Sequence, residues 1–267
     1  MEKDTTFWYN YIGMGGFMKA LITGASSGIG LAMAKYLSLS KHDLILVSKN
    51  KEKLEEIQEK LNTKVTIIVA DLSNEQKVKE LYAFIKKEDI DILINNAGFG
   101  NFGYFTDTDL SNDLEMIDTN IKAVHILTKL VARDMETKNS GYILNVASSA
   151  AFQAGPLMST YYATKSYVYR LSEALNYEFK KKNKNVHVSV LCPGPVDTNF
   201  NNVAGVQFGV KPLTSNYVAK YAIDKMFKNK MLIIPGTKMK LAKFFGRFLS
   251  DKFLLKCTYN IQKKKVK

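Results

Sequence analysis

The chain has 267 residues, 46% apolar and 24% charged, the balance of a soluble globular protein rather than a disordered or fibrous one. No apolar run approaches the ~20 residues that cross a bilayer, and the start, MEKDTTFWYNYIGMGGFMK, carries two acids and does not read as a secretory leader. The net charge of +13 is unevenly placed: residues 1–200 hold 23 Lys/Arg and 23 Asp/Glu, whereas residues 201–267 hold 15 Lys/Arg against only Asp224 and Asp251.

Residues 1–17 precede the first strand-like run, and two readings stay open. They are an arm packing through Phe7, Trp8 and Tyr9, or a mis-assigned start, because codons for Met14-Gly15-Gly16 can hide a purine-rich ribosome-binding site ahead of Met18. MKALITG (18–24) is a short buried-strand candidate and leads into the helical pattern IGLAMAKYLSLS. DLILVS (43–48) is the next strand, followed by KEKLEEIQEKL with amphipathic helical spacing. VTIIVADLS (65–73), IDILINNAG (90–98), GYILNVASS (141–149), VHVSVLCPGP (186–195) and MLIIPG (231–236) continue the series, with room for a helix between neighbours. Non-alternating, β-branched strands separated by helices predict a parallel sheet covered on both faces, a doubly wound α/β fold. Ligands of such sheets bind at the strand C-terminal edge. No repeat or linker divides the chain, so 18–236 is expected to be one Rossmann-type domain and 237–267 an appended extension.

The chemistry-bearing motifs fall at those edges. TGASSGIG (23–30) follows the first strand; Gly24, Gly28 and Gly30 permit a tight turn and close approach of a phosphate to the helix amides. STYYATKS (159–166) places Lys165 four residues after Tyr161, on one helical face, while Tyr162 has Ser166 in that position. A phenol ionises near ~10, and bringing it down by ~3 units takes about 4 kcal/mol, which a nearby ammonium helps to supply. The spacing sets Tyr161 beside a cation and leaves Tyr162 without one.

TGxxxGIG, NNAG at 95–98, and a serine thirteen residues before YxxxK together resemble the short-chain dehydrogenase/reductase family, over roughly residues 18–200. The resemblance implies a catalytic set of Tyr161, Lys165, Ser148 and Asn120, with Tyr161 the acid/base and Tyr162 pocket wall or packing. Ser148 would bond the substrate oxygen, leaving Ser149 as a backbone-bonding turn residue, and the Asn120 carbonyl would hold a water in a proton relay. It also implies a nicotinamide dinucleotide held by Gly24, Ser26, Ser27, Gly28, Ile29 and Gly30. Asp71 would meet the adenine amino group beside Leu72, and Asn95, Ala97 and Gly98 would line the ribose. Pro193, Gly194, Val196 and Thr198 would hold the nicotinamide, with Tyr161 and Lys165 also in contact. After the second strand an NAD enzyme wants an acid for the ribose hydroxyls. This chain reads Ser48, Lys49 and Asn50, which suits a 2′-phosphate, so NADP(H) is the expected cofactor.

His42, His125 and His187 lie in no ligand pattern, and Cys192 and Cys257 form neither a metal motif nor a disulfide framework; no metal is expected, and a reducing cytoplasm is. In KMKLAKFFGRFLSDKFLLKCTYNIQKKKVK, Leu241, Phe244, Phe245, Phe248 and Leu249 form one stripe at helical spacing among Lys and Arg. That segment suits a membrane surface, an acidic carrier, a pocket cover or a subunit interface, or is simply a solvated basic face. The run YYATKSYVYRLSEALNYEFKKKNKNVHV resembles the hydroxysteroid dehydrogenase and 3-ketoacyl reductase branch. It implies a bulky hydrophobic ketone or alcohol as substrate, no nucleic acid, and a homo-oligomer, dimer or tetramer. Competing readings are a membrane-peripheral lipid reductase and a non-catalytic nucleotide-binding scaffold; the intact Tyr161, Lys165 and Ser148 speak against the scaffold.

Overall fold

The apolar runs form strands in the computed structural model, which describes residues 17–198 and 212–263. Residues 1–16, which make up nearly all of the segment ahead of β1, residues 199–211 and the last four residues lie outside the described residues. Seven strands make one parallel sheet in the order β3-β2-β1-β4-β5-β6-β9: β1 Lys19–Thr23, β2 Asp43–Ser48, β3 Val65–Val69, β4 Ile92–Asn95, β5 Gly141–Val146, β6 Val186–Leu191 and β9 Leu232–Ile233. A small parallel pair, β7 Val196–Asp197 and β8 Leu213–Thr214, stands apart.

The strands are apolar at successive positions because both faces are covered. Ala20 and Ile22 of β1 face a layer built by α1 (Gly28–Leu39), α2 (Lys51–Lys60) and α7 (Ser215–Phe227), through Met33, Leu37, Leu54, Val218 and Met226. Leu21, between them, faces α3 (Glu75–Ile85), α5 (Val124–Lys138) and α6 (Ser159–Lys181), through Leu81, Leu127, Val131 and Phe179. The remaining helices are α4 (Leu110–Ile117), which runs into a π turn at Asp118–Ala123, and the C-terminal pair α8 (Thr237–Gly246) and α9 (Asp251–Lys263). Among the described residues no helix is long and apolar enough to cross a membrane.

From β1 the chain moves outward through β2 to β3, then returns to place β4 on the other side of β1. The crevice where the winding reverses lies between the ends of β1 and β4, which carry the glycine turn and the NNAG segment. This topology makes it the expected ligand position.

Candidate active site

Gly24 and Gly28 have φ of +65° and +56°, a region that costs any residue with a Cβ. A Cβ on Gly30 would lie 2.4 Å from the Gly24 carbonyl oxygen, and one on Gly24 would lie 2.8 Å from the Cα of Ala97. The turn is braced by two residues that sequence reasoning passed over. The Thr23 hydroxyl accepts from the amides of Asn96 and Ala97, each at 3.0 Å, and the Asn96 side-chain amide donates to the carbonyls of Thr23 and Gly24. The second asparagine of NNAG was the signal available for this brace. The first turn of α1 holds no acid, and Ser27 makes no side-chain capping bond. With the bent glycine backbone ahead of it, this helix start is chemically suited to a dinucleotide pyrophosphate.

At the end of β2 the Ser48 hydroxyl donates to that of Ser26 across the turn, at 2.8 Å. Lys49 lies beside them and reaches Glu115 at 2.7 Å and Asp71 at 3.0 Å. Partial burial works to lower Lys49, but the two carboxylates outweigh it and hold it above the ordinary lysine value. Burial likewise works to raise Asp71, yet hydrogen bonds from Ser73 and the Lys49 charge leave it below the ordinary carboxylate value. Asn50, read as a cofactor contact, caps α2 by accepting from the Lys53 amide at 2.7 Å. Leu72 is packed in the core.

Asn95 does not line the cleft. It is buried, donating to Thr128 at 3.0 Å and to Asn145 at 2.8 Å, and Asn145 in turn donates to Ser172 of α6. The side chain at the last position of β4 points into the helix layer, where its amide nitrogen ties β4 to α5 and β5, and Asn145 carries the tie on to α6 beneath the site.

Tyr161 and Lys165 are both buried on the inner face of α6. The Lys165 ammonium lies 5.8 Å from the Tyr161 ring centre and donates to the Val146 carbonyl at 3.1 Å. Burial pulls Lys165 down to about 8. Burial also raises Tyr161, against the opposing effect of a hydrogen bond with Ser148. In both groups burial is the main cause of the shift.

Ser148 also accepts from the Ala150 amide at 3.1 Å, at the start of the short helix Ser149–Phe152. The turn-bonding side chain assigned to Ser149 thus belongs to Ser148, while the Ser149 amide donates to the Pro193 carbonyl. Asn120 sits in the π turn; its side chain accepts from the Phe99 amide and donates to the Phe99 carbonyl and the Thr164 hydroxyl. A Cβ on Gly98 would lie 2.8 Å from the Asn120 Oδ1 and 3.2 Å from the Lys165 Nζ, so the missing side chain lets the three elements meet. Thr198 packs on the glycine turn, 3.1 Å from a Cβ built on Gly28, and Val196 is buried in β7.

Tyr162 turns the other way. Its ring lies against Gly155, where a Cβ would fall 2.3 Å from ring carbons, and its hydroxyl accepts from Gln262 of α9 at 2.6 Å. Tyr104 and Tyr259 share a second hydroxyl bond to α9, and Gln153 donates to Thr258. Nothing in the sequence pattern signalled these three ties. Beside Tyr161 pack Met116, Met158, Phe99 and Phe102, and Phe102 also lines a cavity of about 620 Å³ between residues 101–112, Leu157 and Lys263.

His42 accepts from the Met18 amide, His125 meets the Tyr167 hydroxyl and His187 meets Asn185. Among the described residues no group of His, Cys, Asp and Glu could hold a metal.

The family model for short chain dehydrogenases matches residues 18–206, and the chain belongs to that family of oxidoreductases, which act on alcohols and ketones and bind a nicotinamide dinucleotide. It is 34% identical over 208 residues to a very-long-chain 3-oxoacyl-CoA reductase of Anas platyrhynchos, covering 74% of this chain and 66% of that one. Among solved structures it is similar to a short-chain dehydrogenase from Sphingobium yanoikuyae in complex with NADPH, with a TM-score of 0.79, 27% identity and coverage of 87% and 94%. It is also similar to the bulky-bulky ketone specific alcohol dehydrogenase from Comamonas testosteroni, with a TM-score of 0.75, 26% identity and coverage of 88% and 93%.

Proposed function

We propose that the chain is an NADP(H)-dependent oxidoreductase interconverting a bulky hydrophobic ketone, steroid-like or with an acyl chain, and its secondary alcohol. The observation that carries the cofactor choice is the end of β2, where Ser48 stands in place of a carboxylate with its hydroxyl against that of Ser26. The fold serves either nicotinamide cofactor, so the choice rests on these side chains. A 2′-phosphate meets two hydroxyls and the Lys49 ammonium there, whereas an acid would repel it. Lys49 is shared with Asp71 and Glu115, so its part is to offset charge rather than to act alone.

The bound dinucleotide supplies or accepts the hydride. The chain's own residues handle the oxygen and its proton. Ser148 bonds the substrate oxygen and orients it, and Tyr161 gives or takes the proton at that oxygen. Burial holds Lys165 down to about 8, so near that pH small changes in its surroundings alter the charge beside Tyr161. Asn120 fixes the Phe99 backbone against α6 and keeps these groups in place. The apolar walls Phe99, Phe102 and Met158 favour a bulky apolar substrate over a sugar. The reading places the protein in the cytoplasm as a homo-oligomer; Leu110, Leu114 and Ile117 make an exposed stripe on α4 suited to a second subunit.

The test is kcat/KM with NADPH and NADH on a panel of bulky ketones, with Ser48→Asp in parallel. NADPH should win in the parent, and the variant should narrow or reverse the preference. A parent that works better with NADH would end this reading.

A further inference from the structure

A helix on a water-exposed surface turns its apolar face to the core and its charges outward. The two C-terminal helices expose apolar residues as well as charges. On α8, Met239 and Lys243 face the body of the protein. Met239 packs on Gly194, and the Lys243 ammonium lies 5.0 Å from the Phe152 ring centre and 5.4 Å from that of Tyr169. Leu241, Phe244, Phe245 and, just beyond the helix, Phe248 and Leu249 are exposed, Phe248 to 73%. The Phe244 ring packs edge-on against Phe245 at 5.3 Å and against Phe248 at 5.6 Å, so the rings form one surface cluster. On α9, Thr258 and Gln262 are buried while Phe253, Leu255 and Ile261 are exposed. Lys238, Arg247, Lys252, Lys256 and Lys263 are exposed on the same two helices, and Asp251 is the one acid between residues 237 and 263.

We propose that α8 and α9 together form a docking face for an anionic lipid bilayer, with the aromatic cluster in the interface and the basic residues among the headgroups. Charge and apolarity select this occupant jointly. A second copy of the chain would bring two basic faces together, and an acidic carrier would match the charge but leave the phenylalanines in water. The face adjoins the active site, because α9 is tied to Tyr162 and Tyr104 and α8 lies on Gly194. Resting on the reductase reading above, the docked enzyme takes its apolar ketone from the leaflet.

The test is flotation of the full chain with phosphatidylcholine vesicles, with and without phosphatidylglycerol. The parent should float with the anionic vesicles and lose much of that binding in high salt. Phe245→Ser/Phe248→Ser and Arg247→Glu/Lys252→Glu should each lower vesicle affinity at least about tenfold, with NADPH binding and turnover of a water-soluble ketone unchanged in vesicle-free buffer. No flotation at low salt would overturn the proposal. So would flotation that both variants retain, or a dimer that dissociates in the phenylalanine variant while no vesicle binding occurs. Flotation by a chain that turns over no ketone would uphold the docking face and count against the reductase reading alone.

Discussion

The two neighbouring tyrosines of α6 belong to different regions of the molecule. Tyr161 faces the doubly wound core with Lys165 and Ser148, and Tyr162 faces the C-terminal helices through Gln262. The core follows the usual rule, apolar residues inward from both faces of the sheet, and its first 200 residues are charge-balanced. The C-terminal helices instead leave apolar residues exposed, and they lie in the last quarter of the chain, residues 201–267, which holds all of the excess charge. A region that buries its own apolar surface can be read from its pattern alone, whereas one that turns apolar rings outward is shaped by something outside the chain.

The sharpest way to break this division is to remove one hydroxyl from each tyrosine. Tyr161→Phe should lower turnover by about 10²–10⁴-fold, with circular dichroism and cofactor affinity nearly unchanged. A fully active Tyr161→Phe would move the chemistry out of the core.

Lys165 tests how much stability the core gives up to hold its site. Its folded pKa of about 8 lies below the ordinary lysine value of 10.5, so between those values the unfolded chain binds more protons than the folded one. Stability therefore rises with pH across that window, and the full cost of burying the charge is felt below it. Lys165→Met should be inactive yet more stable near pH 7, by up to ~3 kcal/mol, with the gain fading towards pH 10.5. Urea melts at neutral and alkaline pH measure this, and a variant less stable at pH 7 would refute it.

Gly30→Ala probes the glycine turn, where a Cβ would meet the Gly24 carbonyl at 2.4 Å. We expect a loss of about 1–3 kcal/mol together with weaker dinucleotide binding in fluorescence titration. Unchanged binding would show that the turn yields without disturbing the cradle.

The smallest effect belongs to the C-terminal side. Tyr162→Phe removes the acceptor of the Gln262 bond and should cost about 1 kcal/mol, seen as faster amide exchange in α9, with most turnover retained. A large loss of turnover would mean that α9 and the catalytic group are coupled.

Periodicity and spacing specified the strand series, its parallel winding, the glycine turn and the placing of Tyr161 and Lys165 on one helical face, because each depends on local geometry or on residues a fixed number apart. The proposed role of Ser148 came from the family resemblance. Composition also located the basic C-terminus. The tertiary structure decided what depends on contacts between distant segments. It placed Asn95 inside the sheet and Asn96 against the turn, because strand register sets which way consecutive side chains point. It spent Lys49 on Asp71 and Glu115, residues 22 and 66 positions further along the chain. It bonded Tyr162 to Gln262, 100 residues away. It also set how deeply Tyr161 and Lys165 are buried, which raises the one and lowers the other, since desolvation depends on everything packed around a group and no sequence spacing encodes that.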